Sequence, residues 1–393
     1  MAIIEADYRV LTPMFCAGAD QSRPELRAPS FKGVLRFWWR ALAWSRLGGD
    51  LKEIHAEEDH IFGGPGAGGS RVAMQIAFGR AGRPPELGKG GILKVGGNTG
   101  PVVGDGARYL GYGLMEAFAS AKKNTESGQL LRACCLAPFN FTVRLRCRNL
   151  SDVEVAEVSR ALQAAGLFGG LGARTRRGYG SIALQGLRID GEQKWQNPIS
   201  FDALGSALRA CTPPIALEGL PPYTAFCRQA RIVVVKAQSS GPLDLLNLVG
   251  REMVRFRSWG KNGKILGGEN SLKLFNGDHD LMKQPPGQRN RHPQRIAFGL
   301  PHNYGRGNED KVEPAEVSDR RASPLFIHMH ECSSQAVAVL AFLPAEFLPG
   351  DTKINVGGKH VGLAPAESLW KPIEDFLDRF SQGPFTGTLE VRP

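Results

Sequence analysis

Three arginines and a tyrosine stand among glycines in the run Gly166-Leu167-Phe168-Gly169-Gly170-Leu171-Gly172-Ala173-Arg174-Thr175-Arg176-Arg177-Gly178-Tyr179-Gly180. Glycines let backbone N–H groups approach a phosphate, arginines grip it bidentately, and a tyrosine can stack on a base. Arg174, Thr175, Arg176, Arg177 and Tyr179 are therefore candidate nucleic-acid-binding residues. The run joins a helix to a strand. A dinucleotide-binding glycine fingerprint follows a strand and opens a helix, so that reading is excluded. No GxxxxGK[ST] occurs either, which removes the P-loop. The plainer alternative is a flexible basic loop.

A second set lies in Phe31-Lys32-Gly33-Val34-Leu35-Arg36-Phe37-Trp38-Trp39-Arg40-Ala41-Leu42-Ala43-Trp44, where Lys32, Arg36 and Arg40 fall at i, i+4 and i+8. That spacing puts them in one stripe along a helix. The stripe could follow a phosphate backbone, and a solvated face above a tryptophan-rich core accounts for it equally well. Arg144, Arg146 and Arg148 share the polar face of a strand over 139–148. The aromatics of that strand take the core-facing register, so base stacking of the RRM kind is not expected.

Other chemistry-bearing residues are sparse. His55 and His60 flank Ala56-Glu57-Glu58-Asp59 at i and i+5, which matches no HExxH site. His328, His330 and Cys332 alternate along a strand and share a face, neighbours ~6.6 Å apart. Zinc would need a further ligand from elsewhere, so they are metal candidates only, and no cofactor is expected. The seven cysteines form no CxxC, and the start of the chain lacks a signal-peptide layout. Free thiols in a reducing, cytoplasmic compartment are the expectation. No run approaches the ~20 apolar residues of a membrane span. Lys+Arg exceed Asp+Glu by 49 − 38 = 11, a surplus that suits a polyanionic partner.

The elements that must position these residues read as α+β. A strand over 4–10, a helix over 30–47, strands over 71–78 and 139–148, a helix from 151 to about 165 and a strand over 181–189 give the order βαββαβ. Ser151-Asp152-Val153-Glu154 opens the second helix with a capping box. Strands over 231–238, 323–331, 335–342 and 385–391, with helices over 243–257 and 366–380, repeat that order. The expected architecture is two tandem ferredoxin-like (RRM-like) domains. The first spans 1–192, with an insertion over 79–133 and the glycine-rich loop over 166–180. A Pro-rich linker covers 193–222. The second domain spans 223–393, with an insertion over 259–322. Both insertions read as functional arms or mobile loops.

Taken together, Pro29-Ser30-Phe31-Lys32-Gly33-Val34-Leu35-Arg36-Phe37-Trp38-Trp39-Arg40 and the loop Arg174–Gly180 resemble the RAMP superfamily of CRISPR-associated proteins. Within it the run is most like the first RAMP subunit of the Cmr (type III-B) effector complex. Arg295-Ile296-Ala297-Phe298-Gly299-Leu300-Pro301 and Arg320-Arg321-Ala322-Ser323-Pro324-Leu325-Phe326-Ile327 are similar to that subunit's second domain. The resemblance implies a non-catalytic RNA-binding subunit of an antiviral effector complex, contacting the 3′ region of the guide RNA and helping to capture target RNA. Its implied partners are guide RNA, target RNA, the repeated backbone subunit, which supplies the cleavage, and a second end subunit. Lys32, Arg36 and Arg40 join the loop residues as the implied RNA contacts. Backbone RAMP subunits cut with an aspartate in the loop comparable to that of Asp20, which makes Asp20 a catalytic candidate against its plainer role in a turn. RAMP endoribonucleases that trim guide precursors use a histidine, which gives His55 and His60 a place in the alternative reading, a stand-alone guide-processing ribonuclease.

Overall fold

The computed structural model describes residues 1–393 apart from 67, 80–81, 261, 306, 316–319 and 382. β1 (Ala2–Val10) alternates buried and half-exposed residues, turning Ile4, Ala6, Tyr8 and Val10 to the core. α1 (Ala28–Arg46) starts at a proline and buries Phe31, Leu35, Trp38, Trp39 and Leu42 along one side. Tyr8 lies against Phe31 and Phe141 at centroid distances of 5.3 and 5.4 Å and donates its hydroxyl to Leu162 O at 2.8 Å. One strand residue thereby ties α1 and the helix that carries Leu162 to the sheet.

α2 (Leu51–Phe62), capped by Asp50, leads to β2 (Val72–Phe78). The first insertion then holds β3 (Glu86–Leu87) and α3 (Asp105–Leu110) before β4 (Cys134–Cys135), which pairs with β3. β5 (Phe139–Cys147), α4 (Asp152–Phe168) and β6 (Ile182–Ile189) complete the first unit. The capping box of α4 forms as expected, Ser151 and Glu154 each satisfying the other's backbone N–H. The strands order β2-β5-β1-β6, all antiparallel, with β7 (Glu192–Gln196) added on the outer edge. The stretch 193–222, expected as a linker, thus carries most of an edge strand and α5 (Phe201–Cys211), whose Leu204 and Leu208 are buried. Its paired prolines, Pro213-Pro214 and Pro221-Pro222, come only after that helix.

In the second half β8 (Arg231–Ala237) and α6 (Pro242–Arg257) precede an insertion with α7 (Asn276–Lys283), β9 (His302–Asn303) and β10 (Lys311–Pro314). β11 (Leu325–Cys332) and β12 (Gln335–Phe342) form the hairpin. β13 (Ile354–Val356), β14 (Lys359–Val361), α8 (Ala366–Asp378) and β15 (Phe385–Val391) follow. The sheet orders β11-β12-β8-β15, the same relative order as the first. Each is the antiparallel ferredoxin-like arrangement, with its first strand between the third and fourth. β13, β14, β10 and β9 make a smaller separate sheet.

The first insertion is docked rather than loose. Asn247 on α6 accepts from Gly106 N and Ala107 N at 3.0 and 3.2 Å, serving the open N-terminus of α3. Glycine makes that approach possible: a Cβ on Gly106 would lie 2.1 Å from Asn247 O, and one on Gly250 2.2 Å from Gly106 O. A segment of the first half is thereby packed on the leading helix of the second. Among the described residues no helix is long and apolar enough to cross a membrane.

Candidate nucleic-acid interface

The glycine-rich run leaves α4 at Gly169 and is stitched to the chain just after β1. Ala173 N donates to Phe15 O at 2.8 Å and Gly180 N to Pro13 O at 3.0 Å, while Thr12 Oγ1 donates to Gly178 O at 2.6 Å. The expected flexible loop is therefore a pinned one. Gly172 (φ +92°) has room only for a hydrogen, because a Cβ would sit 2.4 Å from Phe15 O. Arg174 occupies the same left-handed region at φ +62°, and its carbonyl accepts from Arg177 N at 2.8 Å, which closes a turn.

That turn sends its side chains in different directions. Arg174 is exposed and points along the first insertion, its Nη2 3.6 Å from where a Cβ on Gly113 would lie. Partial burial, then the nearby cations Arg320 and Arg132, lower its pKa. Arg176 instead bridges the halves: Nη1 donates to Ser323 O at 2.6 Å, and the guanidinium lies 4.6 Å from the Phe326 ring centroid. Burial, then Arg321, brings its pKa down to about 10, so it stays charged at neutral pH. Arg177 is half-buried, and burial, then Arg257, lowers it to about 10 as well. Thr175 and Arg176 line a cleft against Ser30, Gly33, Val34 and Phe37 of α1, a cavity of about 310 Å³. α1 begins there with no side chain capping its first N–H groups and no acid in its first turn. A Cβ on Gly33 would meet nothing, so the helix surface is bare beside the loop. An open helix N-terminus facing an arginine suits an anion.

Tyr179 corrects the expectation of a stacking residue. It is fully buried, its ring edge-on to Phe15 at 5.7 Å and its hydroxyl donating to Ala107 O at 2.8 Å. Burial holds that hydroxyl protonated. The helical stripe also turns inward. Lys32 Nζ donates to Phe62 O at 2.9 Å, and Arg36 Nε and Arg40 Nη1 meet Glu58 Oε1 at 2.6 and 2.5 Å. Glu58 is buried on α2, so the cations first satisfy this chain's own acid and carbonyl. Arg144 is likewise engaged, its Nε 2.9 Å from Glu5 Oε1.

The remaining candidates are placed apart. Asp20 is exposed and accepts from Ser22 N at 2.8 Å and Ser22 Oγ at 2.6 Å, a turn that lowers its pKa, chiefly through the Ser22 hydroxyl. His55 faces Asp59 at 3.5 Å, whereas His60 faces Glu154 at 3.0 Å. The two imidazoles do not converge. His328, His330 and Cys332 are buried where the halves meet. His328 Nδ1 lies 2.8 Å from Gly169 O and His330 Nε2 3.0 Å from Asn197 Oδ1, so each ring donates to an oxygen of the first half. Burial lowers the imidazoles to about 4 and about 3 and raises the Cys332 thiol to about 11. Among the described residues no three His, Cys, Asp or Glu side chains are grouped to hold a metal.

Residues 7–183 match the RAMP superfamily. The matched stretch, a little under half of the chain, is similar to RAMP domains. It holds α1, the glycine-rich run and the cleft between them. The "CRISPR system Cmr subunit Cmr1-2" of Pyrococcus furiosus is 29% identical over 187 residues, which cover 46% of this chain and 95% of that one. Subunit Cmr1-1 of the same organism is 48% identical over 40 residues, 10% of this chain and 12% of the relative. The apo crystal structure of Cmr1 from Pyrococcus furiosus superposes with a TM-score of 0.53 at 19% identity, covering 98% of both chains. A chain of the type III-B Cmr-beta assembly bound to cognate target RNA matches with a TM-score of 0.52 at 11% identity, over 95% of this chain and 98% of that one. At those identities the structures share the fold, and that likeness extends past residues 7–183 over nearly the whole chain.

Sequence reasoning did not single out a second surface, a groove between the two insertions lined by aromatic, arginine and histidine side chains that include Tyr112, Phe118, Arg257 and Tyr304. The available signal was composition, Gly, Asn, Lys and Arg in the second insertion. The aromatics fall in pieces too short for a periodic pattern.

Proposed function

We propose that this chain is a non-catalytic, RNA-binding subunit of a type III-B Cmr effector complex, contacting the 3′ region of the guide RNA and helping to capture target RNA in antiviral defence. The observation that supports this most directly is the cleft in which the uncapped start of α1 faces the pinned loop with Thr175 and Arg176, while Arg174 stands exposed beside it. Its rigidity matters, because a preformed set of phosphate donors loses little entropy on binding. Lys32 and Arg36, part-exposed at the same helix, would add positive field rather than direct grips. The relatives' names agree with the reading: they are Cmr subunits, one in an assembly bound to target RNA. In such an assembly the chain would adjoin the backbone subunit and a second end subunit in the cytoplasm. Sequence selectivity would be low, because the guide reads the target by base pairing.

The test is a salt titration of single-stranded RNA binding by the parent and by Arg174→Ala. Arg174 is exposed and its side chain makes no hydrogen bond or ion pair among the described residues, so the variant should stay folded, bind several-fold more weakly across sequences, and lose about 0.7 from its log–log salt slope. An unchanged affinity and slope would remove the loop from this reading.

A further inference from the structure

The groove between the insertions encloses about 1270 Å³. Its first wall carries Tyr112 and Phe118, 71% and 63% exposed, and neither packs on another ring among the described residues. Single exposed apolar residues are ordinary, whereas apolar surface that lines a concave groove marks an interaction site. Arg257, more than nine-tenths buried, lies deep on the opposite side. Its guanidinium is 4.6 Å from the Phe298 centroid and its Nη2 3.2 Å from His302 Nε2, but its Nε finds no hydrogen-bond partner. No carboxylate pairs with it among the described residues.

Two further guanidiniums crowd the same spot. Arg295 donates to Arg257 O at 3.2 Å, and Arg257 is close enough to Arg177 to disfavour its charge. Among the described residues one acid, Asp278, ion-pairs with any of the three, at 3.3 Å from Arg295 Nε. Burial and these cations hold His302 neutral, so it offers a lone pair to Arg257 rather than further positive charge. Asp105, the acid on the opposite wall, is engaged with Arg108 at 3.4 Å, and Glu116 stands farther along it. Desolvated, unanswered positive charge is costly and is normally compensated. An anion entering the groove would supply the compensation.

We infer that this groove holds an unpaired nucleotide of a single-stranded RNA, its base on the Tyr112–Phe118 wall and its phosphate at Arg257 and Arg295. The inference rests on the proposed RNA partner but not on the cleft at α1, which lies elsewhere in the chain. A strand suits the site better than a peptide, because one side offers bare π faces and the other fixed cationic donors.

The experiment uses the full chain and a single-stranded oligoribonucleotide carrying 2-aminopurine, whose emission falls on stacking. The parent should quench the probe. Tyr112→Ala combined with Phe118→Ala, both exposed positions, should melt as the parent does, lose the quench and bind roughly tenfold more weakly. Arg257→Met should reduce the salt slope by about 0.7 without lowering the melting temperature, as expected where a buried charge lacks a partner. Quenching and affinity unchanged in the double variant would overturn the groove site alone. Displacement of the probe by AMP at equal concentration would also overturn it, in favour of a free-nucleotide site. No RNA binding by the parent would overturn both this inference and the proposed function.

Discussion

Tyr179 lies among glycines and arginines, the company a base-stacking tyrosine keeps, yet its ring is shut behind Phe15 and its hydroxyl belongs to Ala107 O. Residue type and neighbours pointed to phosphate chemistry in this loop. They could not show that α3, from the preceding insertion, lies over the ring. Arg174 and Arg176, two positions apart, divide similarly: one is exposed, and the other holds Ser323 and Phe326 of the second half. Tyr179→Phe removes one buried hydrogen bond and leaves Ala107 O without that donor, so it should cost about 1 kcal/mol of stability. Chemical denaturation would measure that loss, and RNA affinity per folded molecule should not change. A loss of affinity with no loss of stability would return Tyr179 to the binding surface.

At the scale of elements, hydrophobic spacing carried the expectations well. α1, β5, α4 and the hairpin β11–β12 lie within two or three residues of the positions their patterns predict. Spacing also put Lys32, Arg36 and Arg40 on one stripe. It could not say that α2 would pack beside that stripe and place the buried Glu58 between two of its arginines. The edge strand β7 and α5 were hidden because prolines farther along suggested a join. Glu58→Gln would leave Arg36 and Arg40 without their shared carboxylate. Because both arginines keep about a third of their exposure (31% and 35%), the cost should be roughly 1–2 kcal/mol, below that of breaking a fully buried pair. A urea midpoint measures it. The freed cations should leave RNA affinity equal or higher, and a weaker affinity would mean that the stripe needs Glu58 to be placed for binding.

The whole molecule is joined at a seam that also answers to pH. His328 and His330 on β11 reach back to Gly169 O and Asn197 Oδ1, and their facing nitrogens lie 3.4 Å apart. Two imidazoles on one strand face could be read from spacing alone; their outer N–H groups are claimed by the other half of the chain, which spacing cannot reveal. Their folded pKa values, about 4 and about 3, lie below the ordinary 6.5, so the unfolded chain binds more protons between those limits. The stabilisation is complete above about pH 6.5 and is lost as pH falls toward 4. Melting temperature should drop across that window, and His328→Gln with His330→Gln should flatten the drop. A slope equal to the parent's would assign the acid sensitivity to other groups. The same seam joins the half that carries the cleft at α1 and the exposed Arg174 to the half that completes the groove between the insertions. The central claim is that this chain holds RNA and leaves the cutting to others. Purified protein with end-labelled, repeat-containing RNA, run on a denaturing gel with and without magnesium while retention is read on a filter, tests it most directly. RNA retained in a salt-sensitive way and intact under both conditions is the predicted result; discrete cutting under either condition, or no retention at all, would contradict it.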